Sequence, residues 1–531
     1  MLLLDEDEVG PQLDRYPPVW ARSGRDRAPR MYPFSSVNAV PICVTSQVPG
    51  VVGYSASRFF RHPDVLEELF SYFLKDEYSQ QDRRQLLGFM LISKGSFHYP
   101  ARVLWSRIGK KFASALGCLL DIDKWDVGLE RKLIGTPLLI ALEQNRNRLA
   151  THIMWEKFLY YADAIRWIEA TTVAVSPGTI ALLAHLLPQS DPILFRSLRY
   201  LHWTETFADS KDLLYMLGPS LDELELHVYD FYEAAYTSFV FSEWAARFFH
   251  ASAHLCPRIR FLSVGGMGPL ILDISVLSYF SSLHRLIIAQ QAFDSEEEVV
   301  APPTLFHRLE DLELVSHHGS NSLLKSLPYI IPFLTNTLRT VYIQSAGGTS
   351  TLVTHSFIDN FRPLLNLSQL TEVRLNFRLL HFQFTDNDLV TVAKAWPSIV
   401  EMSFAFRNLA RSPVPRLETI GVVATHCRFL KKITVPNVLG PDGDTIFEIS
   451  APPLHPLQEI RTHTMTWNTH ESNNITSSLK RAFPDLRGAF NATESEDWQE
   501  ILFAVLPPYV LGSKIEKHPV TRAPRTRNLS V

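Results

Sequence analysis

The side chains able to do chemistry in this chain do not gather into a reaction centre. Gly265-Gly-Met-Gly268 is its nearest approach to a phosphate cradle. It breaks the G-x-G-x-x-G spacing that lets backbone N–H groups close on a phosphate, so it reads as a loop after a strand. Gly440-Pro-Asp-Gly-Asp444 is acidic and turn-like but lacks the ligand order of a twelve-residue calcium loop. His317-His318, His463 and His470 are dispersed without metal-ligand spacing, and Cys43, Cys118, Cys256 and Cys427 stand far apart with no C-x-x-C. Neither a zinc site nor a disulfide framework is expected. No P-loop, H-E-x-x-H or G-x-S-x-G is present, so no catalytic, cofactor-binding or metal residue is assigned and the chain is read as no enzyme. The chemistry that remains is recognition. Charged and aromatic residues stand at fixed places inside a recurring phrase: Trp167, Tyr200, Glu223, Glu225, Asp311, Glu313, Tyr342, Arg374, Lys432 and Arg461.

The phrase is apolar, two mostly polar positions, apolar, one position, apolar. It starts at Ile165, Leu198, Leu221, Ile259, Leu283, Leu309, Leu338, Leu370, Ile399, Leu430 and, more weakly, Leu457. The starts lie between 23 residues (198 to 221) and 38 residues (221 to 259) apart. The closing alternation is that of a short half-buried strand. Helical stretches such as Glu243–His250 and Asp388–Trp396 fall between phrases. The array resembles the leucine-rich repeat, which implies strands stacked in parallel around one continuous core. One departure matters. The asparagine or cysteine usual eight positions after each phrase start is missing, its place taken by Val173, Thr206, Tyr229, Met267, Gln291, His317, Ala346, Arg378, Arg407, Val438 and Met465. The loop backbone must find other hydrogen-bond partners, and an irregular solenoid is expected.

Upstream, Pro63 suits a first helical position, and Leu66, Leu69, Phe70 and Phe73 fall on one helix face. After a polar gap come Leu86-Leu87, Met90-Leu91, Ser93-Lys94, Phe97, Ala101 and Leu104-Trp105. The stretch resembles an F-box. The phrase from Trp155 through Phe158, Tyr161 and Ile165 to Ile168 resembles the connector before the repeats in F-box proteins expanded in mushroom-forming fungi. That resemblance implies a Skp adaptor as partner and, through it, a cullin. Pro63, Leu66, Leu69, Phe70 and Leu74 would contribute adaptor contacts, with Leu91 and Trp105 supporting, because about fifty residues cannot bury every apolar side chain internally. An ordinary helical cap on the solenoid is the alternative.

The expected fold class is thus α/β: an N-terminal helical F-box followed by an irregular leucine-rich-repeat solenoid with a parallel concave sheet. Residues 1–57 read as a mostly disordered extension, 58–107 as the F-box, 108–160 as a helical linker, 161–490 as the solenoid, and 491–531 as a C-terminal cap with a basic tail. A net charge of −4 argues against nucleic acid, which needs a basic surface. No apolar run nears the ~20 residues of a membrane span, and Met1-Leu-Leu-Leu4 meets Asp5–Glu8 directly, so neither membrane nor secretory leader is expected. Reduced cysteines fit the cytoplasm or nucleus. The implied function is a substrate-recognition subunit of a Skp–cullin–F-box ubiquitin ligase, its target protein bound by the repeat arc. The rival is a repeat scaffold for protein–protein interaction with no ligase role. Alternation places the ten recognition residues on the concave face, graded from acidic to mixed or basic, with a row of merely solvated strand residues as the plain alternative.

Overall fold

Alternation along each phrase does build a strand, and the strands join one parallel sheet. The computed structural model describes residues 85, 98–109, 112, 115–116, 143, 153–171, 175, 177–188, 193–205, 212–228, 237–266, 274–290, 306–316, 320–345, 354–408, 412–441, 448–466 and 472–491. The extension, the basic tail, and Pro63, Leu66, Leu69, Phe70, Leu74 and Leu91 lie outside the described residues.

The strands are β1 (Arg107–Ile108), β2 (Trp167–Thr171), β3 (Tyr200–Glu205), β4 (Glu223–Val228), β5 (Phe261–Gly266), β6 (Arg285–Gln290), β7 (Asp311–Ser316) and β8 (Thr340–Ser345). They continue as β9 (Thr354–Ser356), β10 (Glu372–Gln383), β11 (Glu401–Asn408), β12 (Lys432–Leu439), β13 (Glu459–Thr466) and β14 (Gly488–Asn491). Each pairs with its sequence neighbour, except that β9 lies beside the far half of β10 and β8 pairs directly with the near half. The sheet is open: β1 and β14 end its path.

All eleven phrases carry a strand, and their first apolar residues, from Ile165 to Leu457, are at most 1% exposed. The second and third apolar places, among them Leu224, Leu226, Ile433 and Val435, are buried as well. They merge with Ile180, Leu183, Phe249, Leu323, Leu389 and Ile420 from the connecting segments into one hydrophobic cluster. Each such side chain stabilises the fold by roughly 1.5–3 kcal/mol on burial.

The uneven spacing is a matter of connector length. The 23-residue step holds the five-residue helix Asp212–Met216, and the 38-residue step holds the nineteen-residue helix Thr237–Leu255. Register survives because one carbonyl ahead of each strand takes two N–H groups from the next. Arg166 O accepts from Arg199 and Tyr200 at 2.8 and 3.0 Å, Arg199 O from Asp222 and Glu223, and Asp222 O from Arg260 and Phe261. The ladder runs on through Arg260, His284, Glu310, Arg339, Thr371, Val400 and Lys431.

Ahead of several strands, varied side chains reach one repeat back. Thr335 Oγ1 donates to Phe306 O at 3.0 Å and Thr337 Oγ1 to Leu309 O at 2.9 Å. Trp396 Nε1 donates to Leu364 O at 3.1 Å, and His455 Nε2 to Cys427 O at 2.9 Å. Such bonds satisfy buried carbonyls that would otherwise be stranded.

The sheet also starts earlier than the first phrase. Arg107 and Ile108 pair with Trp167 and Ile168, so Trp105 stands where Ile165 stands one repeat on. Trp105 is partly buried against the core, 6.1 Å from the Tyr161 ring centroid. Helix Ile153–Ala162 buries Trp155, Phe158 and Tyr161 beside it. At the other end β14 follows the buried Leu486.

Candidate functional site

With one sheet face committed to the core, the other carries the remaining residues of every strand. Register defines two rows on it. One runs Arg107, Trp167, Tyr200, Glu223, Phe261, Arg285, Asp311, Thr340, Glu372, Glu401, Lys432, Glu459. The other runs Glu169, His202, Glu225, Ser263, Ile287, Glu313, Tyr342, Arg374, Ser403, Thr434, Arg461. Trp167, Tyr200, Glu223, Asp311 and Lys432 thus share the first row, and Glu225, Glu313, Tyr342, Arg374 and Arg461 the second. Glu223 and Arg461 are exposed, and the other eight are half-buried.

An aromatic stack occupies the β1–β3 end. The rings of Trp167 and Tyr200 lie 5.1 Å apart and 4° from parallel, and the Arg107 guanidinium sits 4.3 Å over the indole. Flat rings held in this way form a rigid apolar platform with a polar rim.

Beside the platform the face is acidic. Over β1–β7 the two rows hold Glu169, Glu223, Glu225, Asp311 and Glu313 against Arg107 and Arg285. Arg285 reaches Glu313 at 4.0 Å. Although the Glu223 side chain is exposed, partial desolvation of its carboxyl, then the Glu225 and Asp222 charges, push it above its usual range. Burial does the same to Glu313 against the pull of Arg285 and Arg374. Glu225 differs: burial would raise it, but hydrogen bonds from His202 and Tyr200 and the charges of His202 and His227 together hold it low. Burial and the Glu225 charge together drive the Tyr200 hydroxyl well above its usual range.

From β8 onward acids and bases balance in an interlocked ladder. Arg374 bonds Glu372 at 2.7 Å and Glu401 at 2.9 Å; Lys432 lies 3.8 Å from Glu401 and 3.9 Å from Glu459; Arg461 closes on Glu459. Tyr342 bonds Gln344 within its own strand. Partly exposed pairs of this kind contribute about 0–1 kcal/mol each, so they shape the charge pattern more than they hold the fold.

Sequence reasoning passed over Arg107, His202, His227, Glu372, Glu401 and Glu459. His202 has the same phrase position as Glu225, so the repeat itself carried the signal. His227 lies one place beyond the phrase. Gly265 and Gly266, expected in a loop, belong to β5. A side chain at Gly265 would meet His227 Nδ1 at 2.7 Å, and one at Gly266 would meet the Val228 carbonyl at 2.7 Å, so close approach of β4 requires glycine at both. Of the dispersed histidines, His463 falls in β13, while His317, His318 and His470 lie outside the described residues. No described helix is long and apolar enough to cross a membrane.

The chain is a parallel-sheet repeat solenoid, defined strand by strand through its own register. No family model matches it, and no curated protein does. Among solved structures it is similar to an internalin from Listeria monocytogenes str. 4b F2365, with TM-score 0.33 and 11% identity. That likeness covers 69% of this chain and 100% of the internalin chain.

Proposed function

We propose that the chain is a non-catalytic scaffold whose open sheet face binds a protein partner. The observation that carries this reading is the Trp167–Tyr200 platform standing next to Glu223 and Glu225 on the same face. Rigid aromatic anchors beside a surplus of acid fit a partner segment with an apolar residue flanked by Lys or Arg. Glu223, whose carboxyl is pushed up beside the charge of Glu225, is favoured in its charged form by a cation brought near. The test compares proteins retained on immobilised wild-type chain with those retained on Trp167→Ala/Tyr200→Ala and Glu223→Lys/Glu313→Lys, at low and high salt. A partner lost from both variants and weakened by salt is expected. Equal retention on all three chains would refute the assignment.

The ligase-adaptor reading rests on the sequence pattern from Pro63 to Trp105. In that role the scaffold would dock on a Skp adaptor and bring its target near a charged ubiquitin carrier, raising effective concentration without chemistry of its own. Gel filtration of the full chain with purified Skp adaptor decides it. Co-elution that is lost in Leu69→Ala/Phe70→Ala supports the role, whereas separate elution of the wild type leaves the scaffold alone.

A further inference from the structure

The open face also brings together three side chains with metal-ligand chemistry that the chain separates. His202 on β3 stands opposite Glu225 on β4, and His227 follows Glu225 by two residues, so all three point to the same side. His202 Nδ1 lies 3.3 Å from Glu225 Oε2, and the two imidazole centroids are 4.9 Å apart. One ligand atom from each of the three residues lies within 4.8 Å of the other two. The geometry points to a binding site for a divalent ion of the zinc class, held by His202, Glu225 and His227, with the remaining position open on the face.

Three observations support the assignment. Bonds of about 2.0–2.1 Å to tetrahedral zinc set neighbouring donors ~3.3 Å apart, which is the separation His202 and Glu225 already have. Two imidazoles with one carboxylate select zinc or another late first-row ion over calcium or magnesium, which prefer all-oxygen sets. Third, Gly265 on β5 makes the room that the His227 ring occupies, since any Cβ there would stand 2.7 Å from Nδ1. The site stands independently of any protein partner.

The full-length chain, stripped with chelator, is titrated with Zn2+ against a chromogenic competitor, and Co2+ is added to read coordination from its visible spectrum. Wild type is expected to bind one equivalent that His202→Ala/His227→Ala lacks and that Glu225→Gln weakens at least about tenfold, as ligand loss costs no less than loss of a supporting contact. His250→Ala/His254→Ala, an exposed helix pair whose ring centroids are also 4.9 Å apart, is expected to keep that equivalent. Circular dichroism confirms that each variant folds, and Glu225→Gln carries the test should the double variant not fold. No saturable binding by the wild type, equal binding by wild type and Glu225→Gln, or loss confined to the His250/His254 variant would overturn the site.

Discussion

Asp212 opens its own helix, yet its carboxylate serves the helix one repeat earlier, taking the Gly178 N–H on Oδ2 and the Ala181 N–H on Oδ1, each at 2.8 Å. Gly178 precedes helix Thr179–Ala184 and has no side chain to cap it. Asp386 makes a related link to the following repeat: its Oδ1 accepts from Arg416 N at 2.7 Å and from the Thr419 hydroxyl at the start of helix Thr419–His426. A carboxylate at the positive end of a neighbouring helix satisfies orphan N–H groups and binds the repeats to one another.

Asp212→Ala should therefore destabilise the chain by about 1–2 kcal/mol, because two half-buried N–H groups lose their acceptor. Burial raises the Asp212 pKa despite the backbone amides that oppose it. The folded state then holds the proton to higher pH than the unfolded state, so this group's contribution is fully present below its ordinary value and is lost as pH rises through the folded value. Urea midpoints of wild type and Asp212→Asn, compared from about pH 4 to pH 7, should show wild type losing ground to Asn as pH rises. The opposite trend would mean that the amides outweigh burial.

Neighbouring residues on β12 should behave oppositely. Ile433 is fully buried, and its replacement by Ala is expected to cost about 2–5 kcal/mol. Lys432 faces the charge ladder with its side chain 45% exposed, and Lys432→Ala is expected to cost less than about 1 kcal/mol. Denaturant titration of the two variants checks the register directly: comparable losses would mean that the faces are wrongly assigned.

Gly421 tests packing between helix Thr419–His426 and the segment that follows β12. A Cβ there would lie 2.5 Å from the Ser450 carbonyl oxygen and 2.8 Å from Ile449 Cγ2. The helix-propensity gain of Ala over Gly is about 1 kcal/mol, but a backbone oxygen cannot step aside cheaply. A net loss of about 1–3 kcal/mol is expected for Gly421→Ala. Gly109→Ala, where a Cβ would meet nothing within 4 Å, is the control. Thermal melts that rank Gly421→Ala at or above wild type would disprove this packing.

Cys256 and Cys427 are fully buried, and burial pushes both thiols up to about 12. Thiols so far from ionisation react poorly, because the thiolate is the nucleophile. In a Cys43→Ser/Cys118→Ser chain, a disulfide reagent near pH 8 should leave both unmodified until denaturant is added, then modify both. Prompt labelling of the folded chain would contradict their burial.

The alternation of each phrase specified its strand and its buried face without help, because period-2 burial is a local property of extended chain. That is why Leu224, Leu226, Glu223 and Glu225 were assignable from residue order alone. Strands β1 and β14 were not, since Trp105 and Ala489 stand where the phrase elsewhere keeps Leu, Ile, Val or Met, and pairing with β2 and β13 confers their conformation. The links from Asp212 and Asp386 were equally hidden: they join residues 31 to 34 positions apart and 30 to 33 apart, across connectors of different length. No fixed offset survives such variation. The meeting of His202, Glu225 and His227 needed the strand register, and the space above Gly265 needed β5. Residue order therefore determined which side of each strand faces water. Only the tertiary structure decided which of those side chains become neighbours, because lateral distance in a sheet depends on register and not on separation along the chain.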